Sequence, residues 1–211
     1  MLSAALRYST LVTLLCSVGV WAAELVSEMP SQPAQRSGAA SAVVDHDTLL
    51  LFGGLLATGE ATNDLWEYKI EKDLWTRLHT GEGYAPDARI GHTIVYRKEQ
   101  VVLFGGYNSS KGDMNDLWSF HRQAENWTEL LPEGGKPSQR NGHNAFAPGI
   151  NSTYMLVFGG NLKNDQWKYD FDENAWHRMK NDTLQNGVPT LSTAFPILVI
   201  LGTHLLANFA L

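Results

Sequence analysis

Leu51-Phe52-Gly53-Gly54, then Asn63-Asp64-Leu65-Trp66-Glu67-Tyr68, then a second tryptophan at Trp75, is the stretch that decides how this chain folds. It occurs three times. The glycine element returns as Leu103-Phe104-Gly105-Gly106 and Val157-Phe158-Gly159-Gly160. The acid-and-tryptophan element returns as Asn115-Asp116-Leu117-Trp118-Ser119-Phe120 and Asn164-Asp165-Gln166-Trp167-Lys168-Tyr169. Nine residues after each first tryptophan stands the second: Trp75, Trp127 and Trp176. Ahead of each copy stand a proline, an arginine and a glycine in fixed spacing: Pro33, Arg36 and Gly38; Pro86, Arg89 and Gly91; Pro137, Arg140 and Gly142. A period of about 50 residues marks a structural repeat, one supersecondary unit per copy. The units run over about 33–82, 83–134 and 135–180.

Each unit reads as four short strands. One follows Arg-x-Gly, one closes on the glycine pair, one runs through Trp66 and Tyr68 or their counterparts, and one begins at the second tryptophan. Trp66 and Tyr68 are two apart and so share one face of a strand. Paired glycines suit a place where backbones approach closely or φ turns positive. Asn63-Asp64 and its copies are expected to form a turn ahead of the third strand, because their side chains hydrogen-bond nearby backbone. The tryptophans are expected to be buried between neighbouring units, where such a side chain dominates packing.

With these motifs, residues 33–179 resemble the kelch family: Arg89 to His92, Arg140 to His143, the Leu-Phe-Gly-Gly element, and the Asn-Asp-Leu-Trp element with its following tryptophan. The resemblance implies an all-β chain in which each unit is a four-stranded blade of a β-propeller. Ala39 stands where the second and third units have His92 and His143. The structural residues implied are Arg36, Arg89, Arg140, Gly53, Gly54, Gly105, Gly106, Gly159, Gly160, Trp66, Trp118, Trp167, Trp75, Trp127 and Trp176. Closed propellers have 4–8 blades. Three blades therefore make either a partial propeller or half of a ring completed by a homodimer. Glu24-Leu25-Val26, before Pro33, matches the place of Trp75-Thr76-Arg77-Leu78 before Pro86, and reads as an outer strand of a preceding blade.

The two ends have a different character. Residues 1–23 read as a secretory signal peptide: Arg7 is the charge, Leu11 to Trp21 is mostly apolar, and small residues follow. Residues 182–211 form a spacer and a hydrophobic tail. The tail has three readings: a lipid-anchor (GPI) signal with Asn181 as attachment residue, a transmembrane tail, or a degenerate fourth repeat. The lipid anchor is the reading taken, leaving 24–181 as the repeat domain. Cys16 is the sole cysteine and lies in the signal, so the mature chain would hold no disulfide. Sequons at Asn108, Asn126, Asn151 and Asn181 agree with a secretory route and an extracellular destination.

Composition narrows the function. The 211 residues carry a formal charge of −6 with acids and bases interspersed, as at Glu67, Lys69, Glu71, Lys72 and Asp73. A nucleic-acid binder would show a basic stripe, so no nucleic-acid partner is expected. His92 and His143 recur with Arg89 and Arg140, and repetition in every blade argues for structure. His46, His121 and His177 lack ligand spacing, and Asp170, Asp172 and Glu173 read as a turn; no metal and no other cofactor is expected. Some kelch-like propellers are copper oxidases with a thioether-linked tyrosine, which needs a cysteine the mature chain lacks. No catalytic residue is assigned. The expected function is recognition of a protein ligand through the loops that differ between units, 55–62, 107–114 and 161–163, with carbohydrate binding, an enzymatic propeller or a fragment of a longer kelch protein as alternatives.

Overall fold

The computed structural model describes residues 31–179 and contains thirteen strands and no helix over that span. They fall into three antiparallel sheets in chain order, one per repeat. In blade 1 the inner strand is split into β1 (Arg36–Ser37) and β2 (Ala40–Val43), both paired with β3 (Thr48–Leu56), followed by β4 (Ala61–Lys69) and β5 (Leu74–His79). Blade 2 is β6 (Thr93–Arg97), β7 (Gln100–Asn108), β8 (Gly112–His121) and β9 (Asn126–Leu130). Blade 3 is β10 (Asn144–Phe146), β11 (Tyr154–Phe158), β12 (Gln166–Asp170) and β13 (Ala175–Arg178). Each sheet is an up-and-down meander, the arrangement implied by the kelch resemblance.

The glycine pairs do more than end a strand. In blades 1 and 2 they lie inside β3 and β7, and the ladder slips by one residue between Phe52 and Gly54 and between Phe104 and Gly106. The strand then continues as a hairpin arm beyond the bulge. Only in blade 3 does the strand stop at Phe158. Both glycines of a pair are required, for different neighbours. Gly105 has φ +61°, and a Cβ there would stand 2.9 Å from the Arg140 carbonyl of blade 3. Gly106 has φ +105°, and its Cβ would meet the His92 side chain of its own blade at 2.7 Å. Any side chain would be strained by conformation and by contact.

Asn63-Asp64 and Asn115-Asp116 are not turns, as the sequence suggested. They lie within β4 and β8. The alternation of the strand is what aims each aspartate inward. The loops also shrink. Much of 55–62 and 107–114 is paired strand, leaving the tips 57–60 and 109–111.

Blades pack face to face through two apolar layers. Leu50, Phe52 and Leu65 of blade 1 meet Leu103, Trp118, Phe120 and Trp127 of blade 2. Val102, Phe104 and Leu117 of blade 2 meet Met155, Val157, Tyr169 and Trp176 of blade 3. One contact repeats: the second tryptophan of a blade seats on the phenylalanine of the blade before it. The ring centroids lie 5.2 Å apart for Trp127 and Phe52, and 4.9 Å apart for Trp176 and Phe104. The inner strands are joined by Gly91 N–H to Gly38 O and Gly142 N–H to Gly91 O, and the bulges by Gly54 N–H to Arg89 O and Gly106 N–H to Arg140 O.

Trp75 departs from the expected burial. Among the described residues no blade precedes it, and it is only half-buried, leaning on Tyr68 at 4.7 Å. Trp167 is half-buried also. The signal peptide, Glu24-Leu25-Val26, Asn181 and the tail over 182–211 lie outside the described residues.

Trp127→Ala should lower unfolding free energy by about 3–5 kcal/mol, the usual result of emptying a buried tryptophan site. Trp75→Ala should cost well under half as much. Urea unfolding followed by circular dichroism measures both, and equal losses would contradict the sequential seating of tryptophan on phenylalanine.

Candidate functional site

The candidate site is one rim of the blade array, and a buried ion pair in each blade holds it in place. Arg36 meets Asp64 through two contacts, of 2.6 and 3.1 Å. Arg89 meets Asp116 at 2.7 and 2.7 Å, and Arg140 meets Asp165 at 2.8 and 2.9 Å. The same guanidinium donates to the first glycine of each pair, Gly53, Gly105 or Gly159, and its Nε donates to the carbonyl two residues upstream, Ala34, Asp87 or Ser138. The aspartate accepts from the indole N–H of the tryptophan two residues on: Trp66, Trp118 or Trp167, at 2.6–2.8 Å. Arg36 and Arg89 thus tie the segment entering a blade to the bulge and to the third strand, and Arg140 ties it to the glycine pair after β11 and to the start of β12. The Arg89 and Arg140 side chains are fully buried.

These contacts set the charge state. Burial opposes ionisation of Asp64 and Asp116, but the guanidinium and the indole donor outweigh it and hold both carboxyls below the ordinary range. For Asp165 the hydrogen bonds from Arg140 dominate and bring the carboxyl down to about 2. The Asn-Asp dipeptides suggest turns from sequence, and the structure gives the aspartates this ion-pairing role instead. A signal was present: an arginine repeated inside an apolar unit requires a repeated acid, and this aspartate recurs in every unit.

Two asparagines extend the bracing. Asn63 Nδ2 donates to the carbonyls of Gly81 and Pro86, and Asn115 Nδ2 to that of Pro137. The connections 80–92 and 131–143 are thereby drawn over the same edge as the hairpin tips 57–60, 109–111 and 161–164. Lys111 reaches Asp87 at 2.6 Å, and Asn108 Nδ2 donates to Ala88 O. Asp113 of blade 2 accepts from the side-chain amides of Asn141 and Asn161 of blade 3. On this rim Tyr107 is partly exposed, Leu162 fully, and Tyr84 stands two-thirds exposed on Trp118 at 5.2 Å. Asn161 and Leu162 both have positive φ, 49° and 59°, so the third tip is a tight, conformationally restricted loop.

The opposite rim carries a shallow apolar hollow of about 360 Å³ along the inner strands, with Val43, Tyr96, Phe146 and Ile150 on its walls. Among the described residues no group of three or more histidine, cysteine, aspartate or glutamate side chains converges as a metal site would require. His92 Nε2 lies 3.1 Å from Phe52 O of the preceding blade, and His143 Nε2 lies 2.9 Å from Thr93 Oγ1. Burial is the main influence on both, with the guanidinium of Arg89 or Arg140 adding to it; the imidazole of His92 is brought down to about 3 and that of His143 to about 4. Both are neutral structural groups at ordinary pH. Of the sequons, Asn126 and Asn151 are exposed, whereas Asn108 is half-buried with its amide engaged.

Residues 8–206 match the KLHDC2/KLHL20/DRC7 kelch-repeats domain. The chain belongs to the kelch-repeat family. Among curated proteins it is similar to the flagellar outer arm dynein alpha chain of Chlamydomonas reinhardtii, 30% identical over 74% of this chain and 4% of that one. It is also similar to an F-box/kelch-repeat protein of Arabidopsis thaliana, 30% identical over 66% of this chain and 32% of the other, and to human kelch domain-containing protein 3, 30% identical over 63% and 34%. The chain thus spans about a third or less of the length of these kelch-containing relatives.

The histidines give this kelch array a two-step acid response. An unfolded histidine titrates near 6.5, so between about 6.5 and the depressed folded values the unfolded chain binds more protons, and stability falls as pH falls. At pH 5 the loss is about 2 kcal/mol for each of His92 and His143, and half-buried His79 adds in the same direction. The aspartates contribute only below about pH 4, because their ordinary value is near 3.9 and their folded values lie lower. Urea unfolding at pH 7.5, 6 and 5 should show this loss, and His92→Gln with His143→Gln should flatten it. A wild-type profile flat to pH 4.5 would contradict the assignment.

Proposed function

We propose that this chain is a recognition module that binds another protein through the rim of hairpin tips and connections. One observation carries the reading: a rim braced by three buried arginine–aspartate pairs displays residues that differ from blade to blade. Tyr107 and Leu162 offer apolar contact, and Tyr84 an aromatic one. Asp87, Lys111, Asp113 and Lys163 surround them with charge of both signs. Aromatic anchors within a polar border are the make-up of protein-binding surfaces. Membership of the kelch family supports recognition over catalysis.

A second reading, carbohydrate binding, draws on Tyr84 and Tyr107, since exposed aromatic rings suit sugar faces. The mixed charge around them favours protein. We also propose that the chain enters the secretory pathway, carries glycans at Asn126 and Asn151, and is held at the outer face of the plasma membrane by a lipid joined at Asn181. The apolar residues 1–23, the tail over 182–211 and the exposure of both asparagines support this. Asn108 is the weaker acceptor, because its amide is committed to Ala88 O.

Cross-linking on intact cells should capture a protein with the wild-type chain that Tyr107→Ala with Leu162→Asp loses by about tenfold or more, the effect of removing anchor residues from a contact. Binding to a glycan array, abolished by the same variant, would overturn the protein reading in favour of sugar. In the same cells, Asn126→Gln and Asn151→Gln should each remove one glycosidase-sensitive step in gel mobility, and a phosphatidylinositol-specific phospholipase should release the chain. A chain recovered from the cytosol with no glycosidase shift would overturn the secretory proposal.

A further inference from the structure

Two sheet faces of the described array are uncovered, and each repeats one side of the contact that joins the blades. On blade 2 the face toward blade 1 is Val101, Leu103, Trp118, Phe120 and Trp127. At the corresponding places blade 1 carries Leu49, Leu51, Trp66, Tyr68 and Trp75. The apolar set is complete, yet Leu49, Leu51, Tyr68 and Trp75 remain only partly buried, and among the described residues no blade covers them. At the other end Leu156 and Phe158 of blade 3 stand where Leu50 and Phe52, or Val102 and Phe104, receive a tryptophan. Phe158 is half-buried, whereas Phe52 and Phe104 are fully buried.

The glycines mark the same vacancy. A Cβ on Gly53 would strike His92 of the next blade at 2.8 Å, and one on Gly105 would strike His143 at 3.0 Å. At Gly159 the nearest neighbour is Lys163 O of its own blade, at 3.7 Å. The backbone donors are placed likewise. Gly160 N–H occupies the position from which Gly54 and Gly106 donate to Arg89 and Arg140, and Gly38 N–H that from which Gly91 and Gly142 donate.

We propose that these two faces are partners for each other across two copies of this chain. Trp75 of one copy seats on Phe158 of the second and the reverse, so that two three-bladed arrays join head to tail at two junctions. The occupant is argued from continuity: the junction is the blade-to-blade contact that the chain already makes twice, built from the same residues at the same positions. It differs in two respects. Ala39 stands in place of His92 and His143, as its 2.9 Å approach to a Cβ on Gly54 shows, so the histidine contact to a phenylalanine carbonyl is lost. Gln166, Lys168 and His177 replace Leu117, Ser119 and Thr128 on the receiving face. Both changes make the junction weaker than an internal contact and therefore reversible.

The test uses the full chain purified from a eukaryotic host, with mass followed by sedimentation over a range of concentration. The expected result is a species of twice the chain mass. Trp75→Ala and Phe158→Asp should each raise the dissociation constant about a thousandfold, because one anchoring aromatic residue, about thirtyfold, is lost at each of the two junctions. Ala39→His should lower it about twenty-five-fold by restoring one hydrogen bond, about fivefold, at each of the two junctions. Circular dichroism and the urea midpoint confirm that each variant is folded. Mixing the Trp75→Ala chain with the Phe158→Asp chain should recover a heterodimer, because one junction is then intact. A folded monomer at every concentration would overturn the proposal. So would open-ended assemblies, or a dimer that Phe158→Asp leaves unchanged, which would mean that two blade 1 faces meet symmetrically.

Discussion

A guanidinium removed from water must have its charge and its five N–H groups answered, and in this protein that requirement organises each blade. The side chains of Arg89 and Arg140 have no exposure at all. Each finds a carboxylate in or just before the third strand, a glycine carbonyl in or just after the second, and a carbonyl on its own entering segment. No two of these partners are neighbours in sequence. A blade in which the second strand slipped by one residue would lose the glycine carbonyl, and one in which the third strand slipped would turn the aspartate to the other face. The pair therefore selects a register. A leucine at the same place would add burial without telling one register from the next, which is the best-supported reason for keeping a buried ion pair whose net stabilisation is small.

The bulge follows from the same requirement. To offer its carbonyl to arginine, the chain must leave the regular ladder, and it does so at Gly53 and Gly105 with φ near +60°. That bend also opens a space into which the next blade inserts its histidine. One local device thus has an intrablade side, the arginine, and an interblade side, the imidazole. Because the imidazole must be neutral to lie there, the joint between blades is sensitive to acid in a range where the arginine–aspartate pairs are not.

The repeat itself was legible because glycine, tryptophan, arginine and proline recur at fixed offsets, and the strand count per unit followed. The function of Asp64, Asp116 and Asp165 was not, since an Asn-Asp dipeptide is a good turn former and local propensity pointed to a turn. Tertiary pairing overrides it: Asp64 and Asp116 lie inside their strands and Asp165 immediately before β12, and each faces its arginine. The rim could be placed in outline from loop variation between units, but its bracing by Asn63 and Asn115 depends on carbonyls about twenty residues away. The half-exposure of Trp75 follows from blade order. A tryptophan that seats on the preceding blade finds no such blade among the described residues, whatever its own sequence says.

The third blade shows how far the framework tolerates change. It keeps Arg140, Asp165, Trp167 and Trp176, and its ion pair is as short as the others. Yet its second strand stops at Phe158 and its hairpin tip tightens to a turn with two non-glycine residues at positive φ. Its outward face takes up Gln166, Lys168 and His177. The polar changes thus lie at the tip and on the face that no described blade covers, while Gly159 and Asp165, which answer the guanidinium, are retained. Register and surface depend on different residues of one strand: in β12, Trp167 and Tyr169 point toward blade 2, and Gln166 and Lys168 point away. A strand that alternates in this way can change what it presents without disturbing what holds it.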